Sequence, residues 1–386
     1  MAPDVQYQVY YAPNVTSLST DNSNWLSVPG IRFVLPKQAR SPLIIGGLPN
    51  GVTYAFTIDG RINDGPAGRS APSVTAVPRL AGASWSGALT PFGTANLNAV
   101  TYGSLGGNIY MAVGDGGLLA SSADGSTWTA LINPSAAPAA HLNAVVFGGA
   151  SYVAAGAGGT LLYSADGISW SAATTNPVAS TTTLNSVVYG AGGYVAVGAD
   201  SAGAAVIVRS ADGQTWSAAS SGAGGNGLLA VGFGSSRYVA VGVGGALLTS
   251  TDGGVNWTAP TSIPAGLLDL RAVVYGIDAS TATTTTAAIG RFVAVGASGT
   301  LLTSTDGLTW TAIDNATSGL PLTHINSITY GTQFVLVGDG GAIYTSTSGT
   351  SWLAAASGST SNLKAVTHNA YSYSAVGATG TNLFAQ

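Results

Sequence analysis

A tryptophan recurs through most of this chain, at Trp128, Trp170, Trp216, Trp257, Trp310 and Trp352, at intervals of 42, 46, 41, 53 and 42 residues. Each closes a unit that reads Leu-Asn-Ala-Val-x-Tyr-Gly, then Tyr-x-Ala-Val-Gly-x-Gly-Gly-x-Leu-Leu-x-Ser, then x-Asp-Gly-x-Thr-Trp. Intervals of about 40 to 45 residues match one four-stranded propeller blade per repeat. Units begin at Leu97, Leu142, Leu184, Leu228, Leu270, Ile325 and Leu363, which predicts seven blades. Within each, short period-two runs such as Tyr194-Val195-Ala196-Val197 lie between glycine pairs able to turn tightly, as strands require. The last unit reaches Gln386 with no room for a fourth strand. That strand is expected upstream, because Trp85-Ser86 resembles Trp170-Ser171 and Trp85 precedes Trp128 by 43 residues. A ring closed by an N-terminal strand also removes the free sheet edges that invite aggregation.

Composition agrees with an all-β chain. Charged residues are 7% of the total, there are 55 glycines, and none of the 15 acidic residues is a glutamate. Strong helix formers are scarce while Val, Thr and Gly abound. No run approaches the roughly 20 apolar residues of a membrane helix, so a soluble chain without a membrane span is expected. With net charge -4 and only Lys37 and Lys364 as lysines, a phosphate-tracking surface is hard to build and nucleic acid is excluded as a partner. The absence of cysteine excludes thiolate chemistry and cysteine-held metals, and no cofactor is implied.

The turns before the tryptophans read Ser122-Ala123-Asp124-Gly125, Ser164-Ala165-Asp166-Gly167, Ser210-Ala211-Asp212-Gly213, Ser250-Thr251-Asp252-Gly253 and Ser304-Thr305-Asp306-Gly307. They resemble the Asp-box, or BNR, repeat of sialidases, xyloglucan-active endoglucanases and the photosystem II assembly factor family, over about residues 81–386. Most are one residue shorter than the family spacing, and Ser348 replaces the aspartate in the sixth unit. The physical reading gives Asp124, Asp166, Asp212, Asp252 and Asp306 a structural role, accepting hydrogen bonds from turn amides while the tryptophan packs between blades.

Residues 1–80 lack the repeat and form a separate domain. Tyr7-Gln8-Val9-Tyr10-Tyr11 alternates as a strand, and Leu48-Pro49-Asn50-Gly51-Val52-Thr53-Tyr54 resembles the tyrosine corner of a fibronectin type III domain. Gly68 to Ser73 and Thr75 to Pro78 fit that family's last loop and strand. The resemblance implies a small β-sandwich, used as a spacer in extracellular proteins. It departs from the family in lacking two strands before Tyr7, so the sandwich is expected to be completed by the propeller, by another chain or by residues upstream. The first residues, Met1-Ala2-Pro3-Asp4, are unlike a secretory signal. An extracellular, cell-surface or periplasmic location therefore requires a leader outside this sequence.

Sialidase chemistry needs a glutamate-activated tyrosine and an arginine triad. This chain has no glutamate, and the propeller arginines are Arg209, Arg237, Arg271 and Arg291. An inverting glycosidase needs only two carboxyl groups about 6.5 to 9.5 Å apart. Asp115 and Asp339, in matching Gly-Asp-Gly-Gly turns, and Asp200 are the candidates, with ordinary turn formation as the alternative. Second in each unit stand Asn98, Asn143, Asn185, Leu229, Arg271, Asn326 and Lys364. This ring either binds an anion or a sugar, with Arg271 and Lys364 as an anion-attracting pair, or satisfies backbone groups at the channel edge. His141 and His324 precede equivalent strands without a third ligand, and His368 takes the aromatic position of Tyr102 and Tyr330, where packing is expected. The first expectation is a non-enzymatic extracellular recognition or scaffold protein, binding a glycan or protein partner through the propeller face. The alternatives are a carbohydrate-active enzyme and an assembly factor.

Overall fold

The computed structural model describes residues 5–14, 32–33, 53–62, 65–66, 74–76, 82, 85–87, 92–104, 109–132, 140–221, 225–278, 281, 288–369 and 372–385. The chain divides into two compact units, residues 1–80 and 81–386.

In the first unit Val5–Pro13 pairs antiparallel with Tyr54–Ile62, Arg32–Phe33 lies on its other edge, and Gly65–Pro66 and Val74–Ala76 flank Tyr54–Ile62. Val9, Tyr10, Ala12, Tyr54 and Ala55 are buried, and Tyr11 stacks on Phe56 with centroids 6.0 Å apart. Residues 48–52 of the expected tyrosine corner, and 68–73 of the expected last loop, lie outside the described residues.

The second unit is a seven-bladed β-propeller. Its described residues form seven small antiparallel sheets in which neighbours in sequence are neighbours in space. The innermost strands run from Leu97, Leu142, Thr183, Leu228, Leu270, Ile325 and Leu363. The fourth blade has three strands, with a single Thr249–Thr258 bridge where its outer strand would pair.

Burial differs from the in-and-out alternation that period-two runs usually signal. In Tyr194-Val195-Ala196-Val197 every side chain is at most 2% exposed. Blades cover both faces of this second strand, so the period records large and small residues fitting two neighbours, and not core against solvent. Within a blade, aromatic rings of the first and second strands lie tilted against each other: Tyr102 and Tyr110, Phe147 and Tyr152, and Phe233 and Tyr238 have ring centroids 4.6 to 5.0 Å apart. The glycine ending an inner strand lets the next blade's aromatic ring lie across the backbone. A Cβ on Gly148 would stand 2.1 Å from Tyr189 Cγ.

Closure is by the upstream strand. Ser86–Gly87 pairs with Phe384 and Leu383 as the outer strand of the seventh blade. Trp85 is buried with Val335, Tyr373 and Leu383, and its indole N–H donates to the Gly82 carbonyl at 2.9 Å. Replacing Trp85 by alanine empties a buried site and opens the last blade, so a loss of about 3–5 kcal/mol is expected. Thermal and urea melts check this, and an unchanged midpoint would remove Trp85 from the ring.

Candidate functional site

Antiparallel strands place two kinds of loop on each face of the ring. The face where the inner strands begin, the leading face, also carries the turns between second and third strands. The opposite, trailing face carries the inner hairpins and the Ser-x-Asp-Gly turns.

Each of the seven inner strands changes register at its second residue, as between Leu97 and Ala99 or Leu363 and Ala365. The residue so displaced is Asn98, Asn143, Asn185, Leu229, Arg271, Asn326 or Lys364. A bulge frees one side chain from the pleat and re-aims it. Here it aims at the following blade. Asn98 Nδ2 donates to the Leu142 carbonyl at 3.0 Å, Asn143 to Leu184 at 3.0 Å, Asn185 to Leu228 at 2.8 Å and Asn326 to Leu363 at 2.9 Å. Arg271 and Lys364, expected to attract an anion together, each donate to an asparagine of the next blade. Arg271 reaches Asn326 Oδ1 at 2.9 Å, and Lys364 Nζ reaches Asn98 Oδ1 at 2.8 Å across the closure. The ring is a set of clasps between blades. Leu229 has no polar group with which to make one.

The face carboxylates buttress these clasps. Asp115 accepts from Asn96 at 2.7 Å and Asn98 at 2.9 Å, and Asp339 accepts from Asn326 at 2.8 Å. Asp200 instead caps its own turn through the amides of Ala202 and Ala204, both at 2.9 Å. Partial burial works to raise the Asp115 carboxyl, but bonds from Asn98 and Asn96 and the charge of Lys364 hold it below the ordinary value. A general acid needs the opposite shift.

A further set of bonds was not visible in the repeat. The residue before an inner strand accepts an amide from the preceding blade's turn. Gly116 N–H donates to His141 Nδ1, Ser298 N–H to His324 Nδ1, Gly244 N–H to Asp269, Gly340 N–H to Asn362 and Thr379 N–H to Asn96. His141 also lies 3.1 Å from Asp115. The two histidines thus share a role with Asp and Asn as acceptors. No three metal-ligating side chains converge among the described residues.

On the trailing face, Asp124 Oδ1 accepts the Ser122 hydroxyl and the amides of Ser126 and Thr127 at 2.7 to 3.0 Å. Asp166, Asp212 and Asp306 repeat this, and Asp252 does so through Val255 and Asn256 in its longer turn. Ser348 makes weaker versions, 3.2 Å from Thr350 N and 3.4 Å from Ser351 N. For Asp166 the amides of Ile168 and Ser169 bring the carboxyl down to about 2, and for Asp252 the Asn256 amide does the same. The tryptophan beyond each turn packs against the preceding blade, as Trp170 does on Met111 and Val113.

A cavity of about 500 Å³ lies elsewhere on the propeller, lined by Thr101, Tyr102, Gly331, Thr332, Thr367, His368 and Asn369. Of these, the repeat pattern marks only Tyr102 and His368, as aromatic packing positions.

Comparison with known proteins agrees with this seven-bladed propeller. The family model of the DUF6242 beta propeller domain matches residues 85–220 and 132–272. Among solved structures, YCF48 bound to D1 peptide is 20% identical, covers 80% of this chain and 99% of its own, and has a TM-score of 0.59. YCF48 from Cyanidioschyzon merolae is 20% identical over 79% of this chain and 99% of that one, with a TM-score of 0.56. A catalytically inactive virginiamycin B lyase from Staphylococcus aureus with quinupristin is 11% identical over 78% and 99%, with a TM-score of 0.64. The curated proteins contain no match. At these identities the likeness is one of fold.

Two expectations follow. A double-mutant cycle on Asn98→Ala and Lys364→Met should show a coupling of about 1 kcal/mol in urea unfolding, since each alone breaks the same clasp. Additive effects would dissolve the clasp. The turn aspartates have folded values below unfolded ones, so their stabilisation is complete above the ordinary carboxylate range near ~4 and is lost as pH falls towards about 2. Asp166→Ser should therefore lower the melting temperature at pH 7 and flatten its decline on acidification; an equal slope in both proteins would assign acid unfolding to other groups.

Proposed function

We propose that this chain is a non-enzymatic recognition or scaffold protein that holds a protein partner on the leading face of its propeller. The observation that carries the reading is the pattern of exposed aliphatic side chains there. Ile132 is 88% exposed, Leu322 75%, Leu268 48% and Val243 41%, all in loops or turns of that face. Val243 and Leu268 flank one clasp, where Gly244 N–H meets Asp269, and Leu322 stands two residues before the clasp at His324. Aliphatic groups brought together beside one clasp of a rigid frame, as Val243 and Leu268 are, suit a protein partner. The solved likeness to a propeller in complex with a peptide supports the same class of partner. The Asp-box likeness of the turns and the fibronectin-like reading of residues 1–80 support an extracellular, surface or periplasmic setting, with the first unit as a spacer or as a sandwich that another chain completes.

A glycan on this face, or hydrolysis by Asp115 and Asp339, is the competing reading. The lowered Asp115 carboxyl and the engagement of Asp339 by Asn326 weigh against proton transfer. The test is site-specific photo-crosslinking in cells of the source, with the crosslinker at Leu268 or, as the trailing-face control, at Ile168. One protein captured from Leu268 alone, then bound by the purified chain and lost in Val243→Ser/Leu268→Ser, is the expected result. Equal capture from both positions, or release of reducing sugar from a polysaccharide panel, would overturn it.

A further inference from the structure

Seven copies of one unit make departures from the common pattern easy to see, and one group of them lies together. At the fifth position of the inner strand the second, third and fifth blades carry Val146, Val188 and Val274, while the sixth, seventh and first carry Thr329, Thr367 and Thr101. At the next position the blades carry Tyr or Phe, and the seventh carries His368. After it come Gly103, Gly148, Gly190, Gly234, Gly276 and Gly331, and in the seventh blade Asn369. Those glycines close the seams, each lying where a Cβ would strike a ring or hydroxyl of the following blade; for Gly331 the nearest atoms are His368 Cδ2 and Tyr373 Oη, both at 2.9 Å. The seam with Asn369 in place of glycine is the one beside which the 500 Å³ cavity lies.

We propose that this cavity, at the trailing end of the channel between the sixth, seventh and first blades, is a binding site for one uncharged sugar or polyol unit. Its size falls within the range of small-molecule sites. Its lining offers the hydroxyls of Thr101, Thr332, Thr367 and Tyr102 and the His368 imidazole and, among the described residues, no charged side chain; the Asn369 amide, whose oxygen accepts the Ser372 N–H at 2.7 Å, belongs to the fixed wall. Hydroxyls both donate and accept, which suits a ligand made of hydroxyls. An anion meets no cation here and a cation no carboxylate. The polar walls are fixed from behind. Thr329 Oγ1 and His368 Nδ1 are 2.9 Å apart, Asn369 Nδ2 donates to Tyr110 Oη at 2.7 Å, and Tyr110 Oη lies 2.7 Å from Ser372 Oγ. Burial also lowers the His368 pKa, which keeps the imidazole neutral at physiological pH. A site so arranged discriminates by hydroxyl pattern, because an analogue lacking a hydroxyl leaves a polar group unpaired.

The site is independent of the leading face. The experiment is saturation-transfer NMR followed by calorimetry on the full chain, with glucose, galactose, mannose, fucose and myo-inositol, and with glucuronate and glucosamine as charged comparators. At least one uncharged probe is expected to bind, with affinity reduced at least tenfold in Thr101→Val/Thr367→Val. That variant borrows the valines of other blades, so its melting curve should be unchanged; Thr101→Ser/Thr367→Ser keeps the hydroxyls and should keep binding. Leu268→Ser should leave binding intact. Binding of the methyl glycoside and of immobilised glycans identifies a glycan end as the source, and binding of the free sugar alone identifies a solute; either supports the site. Silence from every uncharged probe at tens of millimolar, stronger binding of the charged comparators, or full binding in the valine variant would overturn it.

Discussion

Each blade has two apolar faces and cannot cover either by itself. The packing of one blade on the next is therefore the interaction from which the rest of the propeller follows. It explains why Val195, Ala196 and Val197 are all buried in a strand whose pattern would ordinarily put every other residue in water. It explains why the tryptophan ending one unit belongs to a core shared with the unit before it, as Trp128 does with Ala365 and Val376 across the closure. Apolar contact alone fixes the separation of two sheets better than their relative angle. Directional bonds at both ends of the seam supply what is missing. The asparagines do so on the leading face. On the trailing face the tyrosine hydroxyls of second strands reach back, as Tyr238 does to the Gly193 carbonyl and Tyr373 to that of Gln333.

The seams are not equal. Between the fourth and fifth blades Leu229 makes no clasp on one face, Phe292 has no hydroxyl to offer on the other, and the fourth sheet has three strands. Asp269 and its bond from Gly244 N–H bridge that seam on the leading face. Two of the exposed aliphatic residues, Val243 and Leu268, stand at the same seam. Fewer clasps and two exposed aliphatic side chains coincide there.

Blade number, strand starts and the upstream closing strand were legible because they are properties of one unit repeated. Leu97 to Gly103 read alike in seven places, and Trp85 announced itself by distance and by its neighbour. What was not legible lies between units. No inspection of Asn98 reveals that its amide belongs to Leu142, since the bulge that re-aims it has no residue signature of its own. His141 and His324 looked like partial metal sites because sequence shows residue type and hides the acceptor role they share with Asp269 and Asn362. The signal for the cavity was present in Thr367, His368 and Asn369, but as breaks in a pattern, and a break by itself does not distinguish a recess from altered packing. In a repeat protein the consensus records what the fold needs, and its exceptions record what has been relaxed or added.

The closing strand has a consequence for the order in which this molecule comes into being. Ser86 finds its partner Phe384 at a separation of 298 residues, against 37 to 44 for the asparagine bonds between neighbouring blades. Blades can stack one upon another as synthesis proceeds, but the ring cannot shut until Leu383 and Phe384 have left the ribosome. Until then the nascent propeller is an open arc with an unpaired sheet edge at its growing end. With charged residues only 7% of the chain, few like charges hold that arc away from other chains until the final pairing withdraws the edge.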